Sequence, residues 1–262
     1  MGSATTQALA ASIQTLAAAT DVTLDTAKEL FAAAGAVGES SQLSGALADP
    51  SAPAEARQNV VAAVFGGFSQ SAQRVLKTVV AERWSSASEL IEGIEELAIR
   101  AVAIAEPAAD IEGELFEFSR VIAGNAELEL ALGTRLGGTD AKVTLVERLL
   151  DSGASAPSKL IVSSLVRQPR ERRVRQLLSR AIRIVSSQRE RVVATVHTAS
   201  PLSDAQRTRL SDALSRRYDG QVSLNVVIDP SVVGGLRVQI ADDVIDGSIS
   251  ARLADLRQKL AG

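Results

Sequence analysis

The stretch VIDPSVVGGLRVQIADDVIDGS, residues 227–248, joins one alternating apolar segment to another through Asp-Pro and a glycine pair, and then reaches a second turn sequence, Asp-Gly-Ser. Leu236, Val238 and Ile240 alternate at period two, the spacing of a strand with one buried face. Just upstream, VSLNVVI places Val222, Leu224, Val226 and Ile228 on one face, and residues 191–198 (RVVATVHT) form a β-branched run. Three strands are expected. Between the first and second, Ser203 with Gln206 three residues on forms a capping box, hydroxyl and amide each satisfying the other's backbone donor, and Leu210 and Leu214 continue at helical spacing. Ile249, Leu253, Leu256 and Leu260 form the stripe of a terminal helix. Residues 191–262 thus read as a small α/β module.

The glycines and aspartates of this stretch do not build a site for chemistry. A phosphate loop needs lysine directly after glycine, and a dinucleotide fingerprint needs glycines two apart; the sequence has neither. Asp229, Asp242, Asp243 and Asp246 lack the alternating spacing of a calcium loop and sit among turn-forming residues. Backbone geometry accounts for them better: Asp229-Pro230 opens a turn, Gly234-Gly235 supplies positive φ or a bulge, and residues 241–247, with Asp246 and Gly247, make the next reversal. The expectation is a structural hairpin. His197 reads as an exposed strand-end imidazole with no nucleophile to serve.

Outward from the module, residues 5–189 are rich in alanine, leucine and valine at helical spacing, with glycine and proline between the periodic segments, the pattern of a helix bundle. The bundle repeats itself. Glu29-Leu30-Phe31 recurs as Glu114-Leu115-Phe116, and the same offset of 85 residues carries Leu43 to Leu128, Leu47 to Leu132, Val61 to Val146, Phe65 to Leu150, Val75 to Leu160, Leu76 to Ile161 and Val80 to Leu165. One offset held across several helices and their loops indicates duplication. Three segments follow: a first helical repeat over 1–106, a second over 107–190 and the α/β module over 191–262. The long helical stretch 85–105 is either the end of one repeat or an element common to both. Trp84 reads as a core or bundle-edge plug.

Composition narrows the function. The 262 residues contain no cysteine and one histidine, which excludes disulfides, thiolate nucleophiles and the usual zinc sites. A net charge of −3 and 3% aromatic residues argue against a general nucleic-acid binder. The first 20 residues lack a basic segment before an apolar core, and no run of 18 strongly apolar residues follows, so the reading is a soluble chain without a secretion signal. One charge feature stands apart. Nine arginines against two glutamates between 167 and 191 give a local surplus of +7. Arg170, Arg172, Arg173 and Arg175 form either a solvated helix face or a docking surface for an acidic partner, and in both readings their reversal leaves the fold intact.

VVAAVFGGFSQSAQRVLKTVVAERW (60–84), TASPLSDAQRTRLSDAL (198–214) and above all IDPSVVGGLRVQIADDVIDGSISARLADLRQKL (228–260) resemble the delta subunit of bacterial F-type ATP synthase, counterpart of the mitochondrial oligomycin-sensitivity-conferring protein. The resemblance covers nearly the whole chain, with one departure: members usually carry one helical bundle. The duplication is similar to actinobacterial members, although the membrane-anchored b helix fused to some of them is not present here. The resemblance implies a mainly α fold with a small α/β domain, no chemistry and no cofactor. It implies a stator subunit at the cytoplasmic face of the bacterial membrane, whose bundle binds the N-terminal segments of alpha subunits and whose C-terminal module binds the b subunits of the peripheral stalk. By analogy the bundle groove lies between first and fifth helices, here 5–18 and 71–82, which makes Leu9, Ile13, Leu16, Val75, Leu76 and Val79 the expected interface. The competing reading is a helical scaffold or regulatory adaptor of another complex.

Overall fold

The structure is a computed structural model that describes residues 2–249 apart from 134–137, 152, 171, 219, 233 and 241–242. The terminal stripe expected at Leu253, Leu256 and Leu260, and Asp242, lie outside the described residues. The chain divides into two compact units, residues 1–185 and 186–262.

Eleven helices are described from Ser3 to Gln188: α1 Ser3–Ala17, α2 Leu24–Glu39, α3 Ser41–Ala48, α4 Ala54–Val64, α5 Gln70–Ala81, α6 Ala87–Ala105, α7 Ile111–Ala123, α8 Ala126–Gly133, α9 Thr139–Leu150, α10 Ala156–Arg167 and α11 Val174–Gln188. Thr23, Ser40, Ser69, Ser86 and Asp110 each accept an orphan backbone N–H at a helix start, contacts typically worth about 1 kcal/mol apiece. The repeated Glu-Leu-Phe gains a reason. Glu29 accepts from both the backbone N–H and the hydroxyl of Ser69, ahead of α5. Glu114 does the same for Ser155, ahead of α10.

Burial follows the duplication. Thr26, Leu30, Ala33 and Val37 are buried in α2, and Ile111, Leu115, Phe118 and Ile122 in α7. Leu47 and Leu132, Val61 and Val146, and Phe65 and Leu150 are likewise buried. Beyond that point the register shifts by one. The buried residues Val75, Leu76, Val79 and Val80 of α5 correspond to Ile161, Val162, Leu165 and Val166 of α10, an offset of 86. The expected pairs Val75 with Leu160, Leu76 with Ile161 and Val80 with Leu165 are thereby corrected. The cause is one extra residue in the connection 151–154 compared with 66–68.

Helix α6 belongs to both copies. Its buried Leu90, Gly93, Leu97 and Ala101 stand 85 residues after Thr5, Ala8, Ser12 and Leu16, the buried stripe of α1, so α6 serves as the first helix of the second set. Its other sides pack on α2, α1 and α3 and close the first set. A helix buried on most of its sides has to be surrounded, and α6 packs on α10 as well. Trp84 plugs the start of this helix: the indole N–H donates to the Val79 carbonyl at 2.7 Å, and a Cβ on Gly93 would fall 2.2 Å from the ring.

In the second unit, β1 Arg191–Thr198, α12 Asp204–Tyr218, β2 Gln221–Ile228, β3 Leu236–Ile240 and β4 Asp243–Asp246 form a sheet of order β2-β1-β3-β4. β1 and β2 are parallel through the α12 crossover, as parallel neighbours require; β1–β3 and β3–β4 are antiparallel. Ala194, Val196, Val222, Val226, Val238 and Ile240 form the core with Leu214, and the Ser203–Gln206 capping box opens α12. Two expectations change. There are four described strands, because residues 243–246 pair with β3 where a reversal was expected. Residues 229–235 are not a hairpin loop, because β1 lies between β2 and β3; Asp229, Pro230, Gly234 and Gly235 form a crossover connection instead.

The glycine pair still has a specific job. Gly234 and Gly235 take φ of 66° and 78°, conformations glycine adopts at little cost. A Cβ on Gly235 would lie 2.4 Å from the Gly247 carbonyl oxygen, and Ile249 N–H donates to Gly234 O. The two turns of the quoted stretch therefore close on each other. Asp229 and Asp246 are turn formers, each accepting from a serine two residues on, and these bonds hold both carboxyls below the usual range. Gly235→Val is expected to cost at least the ~1–3 kcal/mol of a strained backbone position, read as a lower denaturation midpoint for the α/β unit. An unchanged midpoint would show that the close approach at Gly247 is dispensable.

Candidate partner-binding surfaces

The face formed by α1 and α5 was the expected grip. Leu16, Val75, Leu76 and Val79 are fully buried there, which corrects their assignment to a partner interface: they are the inward stripe that holds α1 and α5 in the bundle. Leu9 and Ile13, one turn apart on α1, are half-buried. Around them Thr6, Ala10, Gln14 and Arg74 are exposed, and Lys77 and Thr78 half-buried. This leaves a shallow apolar strip with polar edges.

The second copy offers no such strip. The residues at the corresponding places in α6, Ile94 and Ala98, are 1% and 0% exposed. Helix α2 packs on α6 and also meets α10, with Gln168 donating to Glu39 at 2.9 Å and lying so near Gly35 that a Cβ there would be 3.0 Å from its amide nitrogen. The chain itself covers this face.

The arginine cluster finds its acidic partner inside the bundle. Arg172 Nη2 lies 3.1 Å from both oxygens of Glu95. Arg180 reaches Glu95 at 3.3 Å and Glu96 at 3.5 Å, and Arg170 reaches Glu95 at 3.6 Å. The Glu95 side chain is only 5% exposed, so its charge depends on these guanidinium groups and they on it. Burial lowers the Arg170 guanidinium from its ordinary value, opposed by Glu95. Arg175 pairs with Glu129, and Arg173 is exposed. The expectation of a cluster wholly turned to solvent or to a partner is corrected for Arg170 and Arg172. The signal was Glu95-Glu96 set among the apolar residues Ile91, Ile94, Leu97 and Ile99, charges that need partners once that stretch is buried.

In the second unit His197 is half-buried on β1, with Nδ1 3.7 Å from Asp229, and not the exposed imidazole expected. Among the described residues no group of three or more histidine, aspartate or glutamate side chains could hold a metal ion, and no helix is long and apolar enough to cross a membrane.

What these surfaces offer a partner is apolar area, shape and charge, the equipment of a structural linker. The family model for the ATP synthase delta (OSCP) subunit matches the chain twice, over residues 7–106 and 97–260, and the two matches overlap within α6. The chain is 46% identical to the ATP synthase subunit delta of Leifsonia xyli subsp. xyli over 264 residues, covering all of both chains. It is 38% identical to that of Streptomyces avermitilis over 98% of each, and 35% identical to that of Thermobifida fusca over 89% of each. A chain of the Toxoplasma gondii mitochondrial ATP synthase hexamer superposes on 64% of this chain with a TM-score of 0.34 at 17% identity, covering 97% of its own length. The chain belongs to the ATP synthase delta (OSCP) subunit family, and is a non-catalytic stator subunit.

Breaking a fully buried pair costs about 3–5 kcal/mol. Arg172→Glu should cost less, since Arg170 and Arg180 still reach Glu95 and these arginines keep 19–26% side-chain exposure. It should nevertheless exceed the ~0.5 kcal/mol of an ordinary surface change, which is what Arg173→Glu should give. Equal chemical-denaturation midpoints for the two variants would refute the structural role of the cluster.

Proposed function

We propose that the helical unit grips the N-terminal helical segments of the alpha subunits, that the α/β unit holds the ends of the b subunits, and that the chain thereby tethers catalytic head to stalk at the cytoplasmic face of the membrane-bound complex. The observation that carries the first part is the contrast between copies: on α1 Leu9 and Ile13 are only half-buried, while at the corresponding places on α6 Ile94 and Ala98 are covered, with α2 packed on that helix and a cleft of about 530 Å³ left between α2 and α10. The first copy therefore keeps the groove. A helix laid into an apolar groove is held by residues one turn apart, the spacing of Leu9 and Ile13.

A tether that stops the head from turning with the rotor needs contacts that resist torque; it needs no reacting group. In the full chain, Ala10→Arg and Ile13→Asp should each weaken binding of a peptide made from the alpha subunit N-terminus by roughly tenfold or more, about 1.4 kcal/mol, with b-subunit binding unchanged. Unaltered peptide affinity in both variants would rule out the α1–α5 strip as the grip.

A further inference from the structure

The second copy carries apolar surface that the first lacks. Among the described residues, Val121 is 52% exposed, Leu130 70%, Leu145 37% and Leu149 38%, whereas in the first copy only Val64 is a comparably exposed large hydrophobe. Val121 and Leu149 line one groove of about 320 Å³ between α7 and α9, floored by Phe118 and Leu150 and edged by Asp110, Glu114 and Glu117. At the corresponding places on α2 the first copy has Ala33 for Phe118, Ala36 for Val121, Ala32 for Glu117 and Lys28 for Gly113. The second copy has thus enlarged the apolar side chains, added a carboxylate and dropped the cation.

On the corresponding α2 face Ala32 and Ala36 are exposed, and with Phe31 they line a cleft of about 530 Å³ shared with Leu160 and Arg167 of α10. In a repeat array the terminal repeat normally turns a polar side outward, and contiguous exposed apolar surface marks an interaction site.

We infer that the α7–α9 groove is a second docking site, for an amphipathic helix with a leucine-type stripe flanked by lysine or arginine, contributed by a neighbouring subunit of the ATP synthase. Glu114 holds Ser155 and Asp110 caps α7, and both carboxyl groups border the groove. Glu117 lies outermost, 3.5 Å from Arg120 with its side chain 65% exposed. An acidic rim on an apolar floor selects a basic helix and repels an anionic lipid surface. The inference rests on membership of the complex, and not on which copy grips the alpha subunits.

The test uses the absence of cysteine from the chain. A Val121→Cys variant, at an exposed position, is reacted with a maleimide in the free chain and in the assembled ATP synthase. The labelling rate is expected to fall at least tenfold on assembly, and a benzophenone attached at position 121 should cross-link to a basic amphipathic helix of another subunit. An unchanged rate, or cross-linking to lipid or to a second copy of this chain, would overturn the inference. An Ala10→Cys variant run in parallel reports on the first copy: protection there with position 121 open sinks only the second site, whereas an open position 10 counts against the α1–α5 grip.

Discussion

Helix α6 has to bury opposite faces at once, and the rest of the helical unit depends on how it does so. Leu90, Gly93, Leu97 and Ala101 repeat the inward stripe of α1, while its other sides pack on α2 and α3. Two carboxylates, Glu95 and Glu96, are carried into this setting. A buried carboxylate without partners would be costly, and Arg172 and Arg180, which arrive 77 and 85 residues later in sequence, resolve that cost. The cluster also ties the segment before α11, through Arg172, and α11 itself, through Arg180, to α6.

For a stator subunit this arrangement is mechanically useful. Two bundles joined by a flexible linker would transmit torque only after the linker became taut, because inter-domain motion is the default where few contacts cross. A shared helix replaces the linker with a packed core, which deforms little. The duplication thereby lengthens the helical unit without adding a hinge.

Much of this was legible in the sequence, for identifiable reasons. Helical spacing, the β-branched strands and the Ser203–Gln206 box are local signals, and the structure follows them. The duplication was visible through Glu-Leu-Phe, but the one-residue slip at α10 was not, because offsets of 85 and 86 both place apolar residues on apolar residues there. β4 was read as a turn because Asp-Val-Ile-Asp is short and bounded by turn formers. The hairpin failed because sequence order does not reveal that β1 lies between β2 and β3. For the candidate surfaces, helical periodicity identifies a stripe without saying whether it faces core or partner, which is why Leu16, Val75, Leu76 and Val79 were placed outward. Glu95-Glu96 in an apolar stretch signals that partners are needed, but pairing across some 80 residues leaves no local trace of which arginines supply them.

Native-state hydrogen exchange on a Leu97→Ala variant tests most directly whether the two copies are one unit. Removing this fully buried α6 side chain costs about 2–5 kcal/mol. If α6 is shared, protection should fall together in α2 of the first copy and α10 of the second, by a similar factor. Loss confined to one copy, with the other keeping its full protection, would contradict a shared helix and restore two independent bundles.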